Sequence, residues 1–340
     1  MKVVFSDIQL RHAPAEIVAS GRLVPHPEIP ARAERLLAAA LAAGLELEAP
    51  AEYGLEPIEA VHTARYLAFL EKIFVRWQRI PDASDDVFPN VHPPARGGLY
   101  PASAVGQVGY HVFDGGAPIT ADTWDSACWS AWSAVHAAYD VLAGARACYA
   151  LCRPPGHHAG SDLAGGFCYL NNSAIAAQLL RGELERVAIL DIDVHHGNGT
   201  QDIFYERDDV FTVSLHADPV RFYPFFWGAA NERGKGDGRG FNLNLPLPRG
   251  TGGDDYLAAL DKALAAISRF KAGALVVALG LDAYVGDPLA GLGLTTEDFG
   301  RVGERIAALG LPTVFVQEGG YPADELGLNL TAVLERFRDT

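Results

Sequence analysis

Five apolar runs of strand length punctuate the chain, and each ends in residues that can do chemistry. Ala147 to Cys152 leads into Arg153-Pro154-Pro155-Gly156-His157-His158, and Val187 to Leu190 into Asp191-Ile192-Asp193-Val194-His195-His196. Val210 to Leu215 ends at His216, Ala274 to Leu281 at Asp282, and Thr313 to Val316 leads into Glu318-Gly319-Gly320-Tyr321. Helical stretches lie between them. Ser173 to Leu184 is rich in Ala and Leu, Asp254 to Arg269 carries Leu257, Leu260, Leu264 and Ile267 at helical spacing, and Asp298 to Leu309 follows the cap-like Thr295-Thr296-Glu297. Strands alternating with helices imply an α/β fold, a parallel sheet with helices on both faces. In such sheets ligands bind beyond the carboxyl ends of the strands. That is where the His, Asp and Tyr residues of these runs fall, a coincidence that core packing does not require.

The 340 residues suffice for a large core, and no repeat or linker divides them, so one domain over 1–340 is expected. Arg79 to Pro118 stands apart: it is rich in Pro and Gly, has little periodicity, and reads as a long functional or flexible loop. With 27 basic against 42 acidic residues the net charge is -15, which speaks against nucleic acid and anionic membranes as partners, since both need basic patches. No apolar run approaches the roughly 20 residues of a membrane helix. Met1 to Gly21 reads as a strand and polar loop rather than a signal peptide. Cys128, Cys148, Cys152 and Cys168 form no CxxC pair and no disulfide spacing, which suits reduced thiols and a cytoplasmic protein.

Residues two apart on a strand point to one face, so Asp191, Asp193 and His195 can enter one pocket together. Carboxylates and imidazoles are poor core residues unless paired or metal-bound. A catalytic zinc takes three protein ligands plus water. Asp193 and His195 supply two of these, and Asp282, at another strand end, is the best third. A buried Asp–His hydrogen-bond network without an ion uses the same residues. His157-His158, on a backbone stiffened by Pro154-Pro155 and turned at Gly156, can present two imidazoles to one cavity. Amide hydrolysis needs a base for water and an acid for the leaving amine. Asp191 and Asn198 are candidate partners that would fix the imidazole tautomers. Tyr321 follows Gly319-Gly320, where the backbone can approach a ligand and the phenol can donate to an oxyanion; a turn tyrosine capping the strand fits as well.

Other features carry less chemistry. Gly234 to Gly240 has GxGxxG-like spacing but precedes the strand-like Phe241 to Leu247 rather than a helix, so it reads as a mobile loop and not a dinucleotide site. His62 and Tyr66 are expected to pack together on a helix within Val61 to Leu70. Phe222 to Trp227, with Tyr223 at its centre, is either core or the aromatic wall of an apolar tunnel. His216 is expected to support its neighbours rather than react.

At these residues the sequence resembles the histone deacetylase superfamily. The segments that carry the resemblance are Arg153 to Gly160, Gly165 to Asn172, Asp191 to Phe204 (DIDVHHGNGTQDIF), Gly280-Leu281-Asp282 and Glu318 to Tyr321, within a span from about Pro30 to the end. The compact length and the Phe222 to Trp227 stretch look closest to the bacterial acetylpolyamine amidohydrolases. The resemblance implies the arginase/deacetylase fold, with Asp193, His195 and Asp282 as zinc ligands and ferrous iron as the other metal such a site suits. It implies His158 as general base and acid, His157 as chiefly electrostatic, and Tyr321 as the oxyanion donor. Asp191 is then the partner of His157, and Asn198 stands where some relatives carry Asp, as in the class II branch. It further implies a structural potassium ion at Asp191 and Ser214, and substrate contacts at Gly166 and Phe167, with Tyr223 and Gly320 beside them.

The function so implied is zinc-dependent hydrolysis of a small N-acetylated amine, an acetylpolyamine or acetylated diamine, in a homodimer formed through the long loop. An acetyl-lysine deacetylase of class II type is the alternative. An arginase-like dinuclear manganese site would need more carboxylates than the lone Asp282 of Leu281-Asp282-Ala283-Tyr284, and a non-catalytic acetyl-binding protein would lack a ligand or the tyrosine. One departure bears on substrate. Related polyamine deacetylases are thought to hold the distant ammonium with acidic residues of the long loop. Here Asp82, Asp85 and Asp86 come early, while Val87 to Val112 has no Asp or Glu and includes Arg96.

Overall fold

The structure is a computed structural model that describes residues 1–93, 95–289 and 291–340. Pro94, inside the long Pro/Gly segment, lies outside the described residues. Among the described residues ten strands form: β1 (Lys2–Val4), β2 (Glu16–Ala19), β3 (Arg22–Pro25), β4 (Glu46–Glu48), β5 (Ala147–Ala150), β6 (Val187–Asp191), β7 (Val210–Ala217), β8 (Asn242–Leu247), β9 (Ala274–Leu279) and β10 (Thr313–Gln317). Eight of them make one sheet in the order β4-β1-β5-β10-β9-β6-β7-β8, and β2 and β3 pair as a separate antiparallel hairpin. Every pairing in the large sheet is parallel. The expected α/β architecture is therefore the one observed.

The central strands are buried on both faces, which explains their near-continuous apolar sequence. Alternation divides their side chains between two cores. Ala188, Leu190, Leu275, Val277, Leu279 and Phe315 pack on one face against the helices Pro30–Ala42, Gly253–Phe270, Thr296–Ala307 and Leu326–Asp339. Val187, Ile189, Val276, Val314 and Val316 pack on the other, against Ala64–Trp77, Thr123–Leu142 and Asn172–Glu183. Each fully buried Leu, Ile, Val or Phe contributes roughly 1.5–3 kcal/mol relative to exposure, so two filled faces hold the strand ends in fixed register. The helix Thr296–Ala307 starts with a capping box: Thr295 Oγ1 accepts from the Asp298 amide while Asp298 Oδ2 accepts from the Thr295 amide at 3.0 Å.

Two expectations change. The long segment 79–118 is not structureless. Ser103 Oγ accepts from the Gly106 amide at 3.1 Å and starts the helix Ala104–His111. Val87 and Ile119 also exchange both backbone hydrogen bonds, closing the base of the segment. His62 and Tyr66 do pack together, ring centroids 5.6 Å apart, but not on one helix: Thr63 caps the helix Ala64–Trp77 just after His62, whose Nε2 accepts from the Asn171 amide at 2.9 Å. No helix among the described residues is long and apolar enough to cross a membrane.

Candidate active site

Parallel register brings the reactive ends together. Asp191 of β6 lies opposite Ser214 of β7 and Ala278 of β9, and Gln317 of β10 lies opposite Leu279 of β9. β6 stops at Asp191, so Asp193 and His195 are presented by the segment beyond the strand and not by strand alternation. That segment is shaped by carboxylates accepting from its own backbone. The Asp193 amide donates to Asp191 Oδ1 at 3.1 Å, the Val194 amide to Asp282 Oδ1 at 3.0 Å, and the His195 amide to Asp193 Oδ1 at 2.8 Å. The DxDxH spacing is thus a turn held by its own acidic side chains.

Asp193, His195 and Asp282 converge, their ligand atoms all within 4.8 Å of one another. His195 Nδ1 is 3.1 Å from Asp193 Oδ1 and 3.2 Å from Asp282 Oδ2. Ligand atoms about 2.0–2.2 Å from a tetrahedral zinc stand roughly 3.3–3.6 Å apart, so the set fits a divalent ion. Asp282 Oδ2 is buried and has no hydrogen bond of proper geometry among the described residues, despite its nearness to His195, and an oxygen so placed fits the role of a metal ligand. Burial opposes charge on Asp193, yet His157 and His195 hold its carboxyl well below the usual range. Burial and the neighbouring Asp193 push Asp282 up. Burial lowers His195, but Asp193 and Asp282 raise it to about 9. Gly319 passes so close that a Cβ there would lie 2.1 Å from Asp282 Oδ2, which only glycine avoids.

The histidines stand side by side with ring centroids 4.0 Å apart. His157 Nδ1 is 3.0 Å from Asp191 Oδ2, and His158 Nδ1 is 2.7 Å from Asn198 Oδ1. Their environments drive them apart. Burial would depress His157, but Asp193, Asp191 and Glu318 raise it to about 10. Burial, then the charges of His157 and His195, lower His158 far below its ordinary value. The surroundings thus favour the charged form of His157 and the neutral form of His158, and Asn198 Oδ1 facing Nδ1 favours the tautomer that leaves the His158 Nε2 lone pair free. Divergent values of this kind separate electrostatic from base roles.

Tyr321 is buried. Its ring meets Phe167 edge-on at 5.8 Å. Phe222 stacks on His195 at 5.0 Å, and Tyr223 meets His158 edge-on at 4.9 Å. The Phe222 to Trp227 stretch is thus part wall and part rim, since Phe226 is 81% exposed. Gly166 (φ 54°) closes the opposite side, where a Cβ would lie 2.4 Å from His158 Cδ2 and 2.7 Å from Tyr223 Oη. Gly320 is buried, a Cβ there would lie 2.7 Å from Leu281 Cβ and 3.1 Å from Leu326 Cδ1, and its carbonyl accepts from Arg32. His216 bonds Ser214 Oγ and the Gly228 carbonyl and stays behind the site.

A family model described as a histone deacetylase domain matches residues 26–337. The chain belongs to the histone deacetylase family. It is 47% identical to the acetylpolyamine amidohydrolase of Burkholderia pseudomallei (strain 1710b), over 99% of this chain and 98% of that one. It is 46% identical to acetylpolyamine amidohydrolase 1 of Pseudomonas aeruginosa, over 99% of both. A crystal structure of the acetylpolyamine aminohydrolase from Burkholderia pseudomallei superposes with a TM-score of 0.97 at 46% identity, covering 99% of this chain and 98% of that one. Membership makes the chain a hydrolase acting on amide bonds.

Several residues that shape this deacetylase site have roles that the sequence does not spell out. Glu318 Oε2 accepts from the Gly156 and His157 amides at 2.7 and 3.0 Å, while Oε1 accepts from Ser173 Oγ at 2.7 Å. It fixes the turn that delivers both histidines, and its position just before Gly319-Gly320 was the only hint. Asp114 accepts from Tyr223 Oη at 2.6 Å and from the Gly116 and Gly166 amides, tying two walls together. Arg32 pairs with buried Glu28 and donates to the Glu318 and Gly320 carbonyls.

Proposed function

We propose that this deacetylase hydrolyses small N-acetylated amines, acetylpolyamines and acetylated diamines foremost, to acetate and the free amine. The observation that carries the reading is geometric: Asp193, His195 and Asp282 bring their ligand atoms within 4.8 Å of one another, and His157 and His158 stand beside them with ring centroids 4.0 Å apart. Those three residues would hold one zinc or ferrous ion, which when bound polarises an amide carbonyl and lowers the pKa of water. His158 Nε2 takes the proton as the water oxygen attacks the carbonyl carbon. The Tyr321 hydroxyl donates to the oxygen that becomes negative, and the charge of His157 favours the same state. His158 then delivers its proton to the amine nitrogen as the C–N bond breaks.

The names of the relatives support acetylpolyamines, and so does the site's approach. Phe167, Phe222 and Tyr223 leave apolar walls suited to a slender methylene chain. Val87 to Val112 offers no carboxylate for a distant ammonium, and the nearby Asp114 already accepts three hydrogen bonds. Short acetylated diamines are therefore placed ahead of long polyamines. A cavity of ≈ 10 Å³ lined by Asp191, His196, Ser214 and Asn244 is about the room one water-sized particle needs, and a potassium ion is proposed there. Exposed Val91 and Leu99 support the long segment as a dimer contact. The four free, buried cysteines suit the cytoplasm.

The test is a deacetylation panel across acetylputrescine, acetylcadaverine, acetylspermidine, acetylspermine and acetyl-lysine peptides, with and without a chelator. Chelator-sensitive turnover highest on the diamines is expected. Preference for the peptides would instead assign an acetyl-lysine deacetylase.

A further inference from the structure

The loop that carries Tyr321 is anchored at every peptide but by different partners. The Gly319 amide donates to Asp193 Oδ2 at 2.8 Å, and the Gly319 carbonyl accepts from the Leu281 amide at 3.1 Å. Arg32 takes the Glu318 and Gly320 carbonyls. Tyr321 itself has one backbone donor, and it goes to Asp287 Oδ2 at 2.7 Å. The other oxygen of that carboxylate, Oδ1, accepts from the Leu289 amide at 2.8 Å.

Asp287 belongs to the turn that begins with Asp282. The Asp287 amide donates to the Tyr284 carbonyl at 3.1 Å, and Val285 and Leu294 are joined by a backbone bond of 2.9 Å. The turn is further fixed where Asp282 Oδ1 accepts from the Val194 amide. One short stretch thus carries a metal-cluster carboxylate at one end and the Tyr321 anchor at the other. Asp287 is 7% exposed, and a buried carboxylate near Asp282 is a costly way to satisfy two amides. A neutral backbone acceptor would serve a merely structural need.

We infer that Asp287 is a positioning residue for the reaction: it ties the Tyr321 backbone to the Asp282 turn and so fixes the phenol over the metal cluster. Two glycines precede Tyr321, leaving its φ and ψ weakly determined by local sterics, so the carboxylate supplies what the chain itself does not. A donor must sit 2.7–3.1 Å from the developing oxyanion, and a displacement near 1 Å can cost on the order of 10²-fold. Asp287 never touches substrate in this account. The inference rests on the oxyanion role assigned to Tyr321 above.

The experiment is a double-mutant cycle on metal-loaded protein: the unchanged chain, D287A, Y321F and the double variant, read as kcat, KM and bound metal per chain. A trifluoroacetylated amine, an activated amide, keeps slow variants measurable. D287A is expected to lower kcat about 10–100-fold with KM and metal content within about twofold. In the Y321F background the same change is expected to cost less than about twofold, because the group it positions is gone. An equal loss in both backgrounds, a D287A kcat within about twofold of the unchanged chain, or a loss explained by missing metal would overturn the inference. A normal kcat for Y321F would instead remove the oxyanion role on which it stands. If D287A does not accumulate folded, D287N, which retains one acceptor, carries the same comparison.

Discussion

Asn198 Oδ1 accepts from His158 Nδ1 at 2.7 Å, so the imidazole that faces the metal cluster is fixed in its tautomer by an amide and not by a carboxylate. The amide favours the protonated ring only weakly, and burial with the charges of His157 and His195 outweighs it, so His158 stays far below its ordinary pKa. Substituting Asn198→Asp adds a negative charge at that distance, which favours the protonated ring. The base is competent only when neutral, so the acid limb of kcat/KM should move to higher pH, by about one unit or more. An unmoved limb in the pH–rate profile would show that His158 is not the base.

Removing the two groups that act on the reacting atoms should cost far more than removing their supports. His158→Ala and Tyr321→Phe are each expected to lower kcat at least ~10²-fold. Metal analysis should show unchanged occupancy. Near-normal turnover in either variant would refute the role given to that residue.

Stripping divalent metal should abolish turnover, and readdition of Zn²⁺ or Fe²⁺ should restore it at close to one ion per chain. Asp282→Asn should lower that stoichiometry. A ligand bound only by the native state stabilises it by mass action, so metal should raise the Tm of the unchanged chain and barely move that of the Asp282→Asn variant. Two ions per chain would point to a dinuclear centre.

His157 links charge to stability. Its folded value, about 10, lies above the ordinary 6.5 of the unfolded chain. The stabilisation it provides is therefore fully present below about pH 6.5 and fades as pH rises towards 10. The gap in unfolding free energy between the metal-free chain and a His157→Asn variant should shrink across that window. A gap constant from pH 6 to 10 would mean that the ring is neutral.

Phe315 lies in β10 at 0% exposure, packed edge-on to Phe337. Phe315→Ala should cost about 3–5 kcal/mol, read as a lower denaturant midpoint at unchanged slope.

The sheet was legible because strands buried on both faces cannot hide: Ala274 to Leu279 and Val314 to Val316 admit no polar residue. The reactive ends were legible because Asp, His and Tyr are expensive inside a protein without a task. Less could be read where partners are remote or are backbone groups. Glu318 meets Gly156 and His157 more than 150 positions away, and Asp287 meets only amides; nothing in their local spacing encodes such pairings. The helix Ala104–His111 was hidden because Ala104 to His111 holds two glycines and Pro101 lies close before it, and propensity yields there to the Ser103 cap. Asp193 and His195 were grouped for the wrong geometric reason, strand alternation, although a self-bonded turn places them together.

β10, the last strand among the described residues, lies between β5 and β9. Its backbone pairs with both neighbours, and its carboxyl end leads directly into Tyr321. An open strand edge is a template for unwanted pairing, so the strand that delivers the phenol also seals the middle of the sheet against foreign strands.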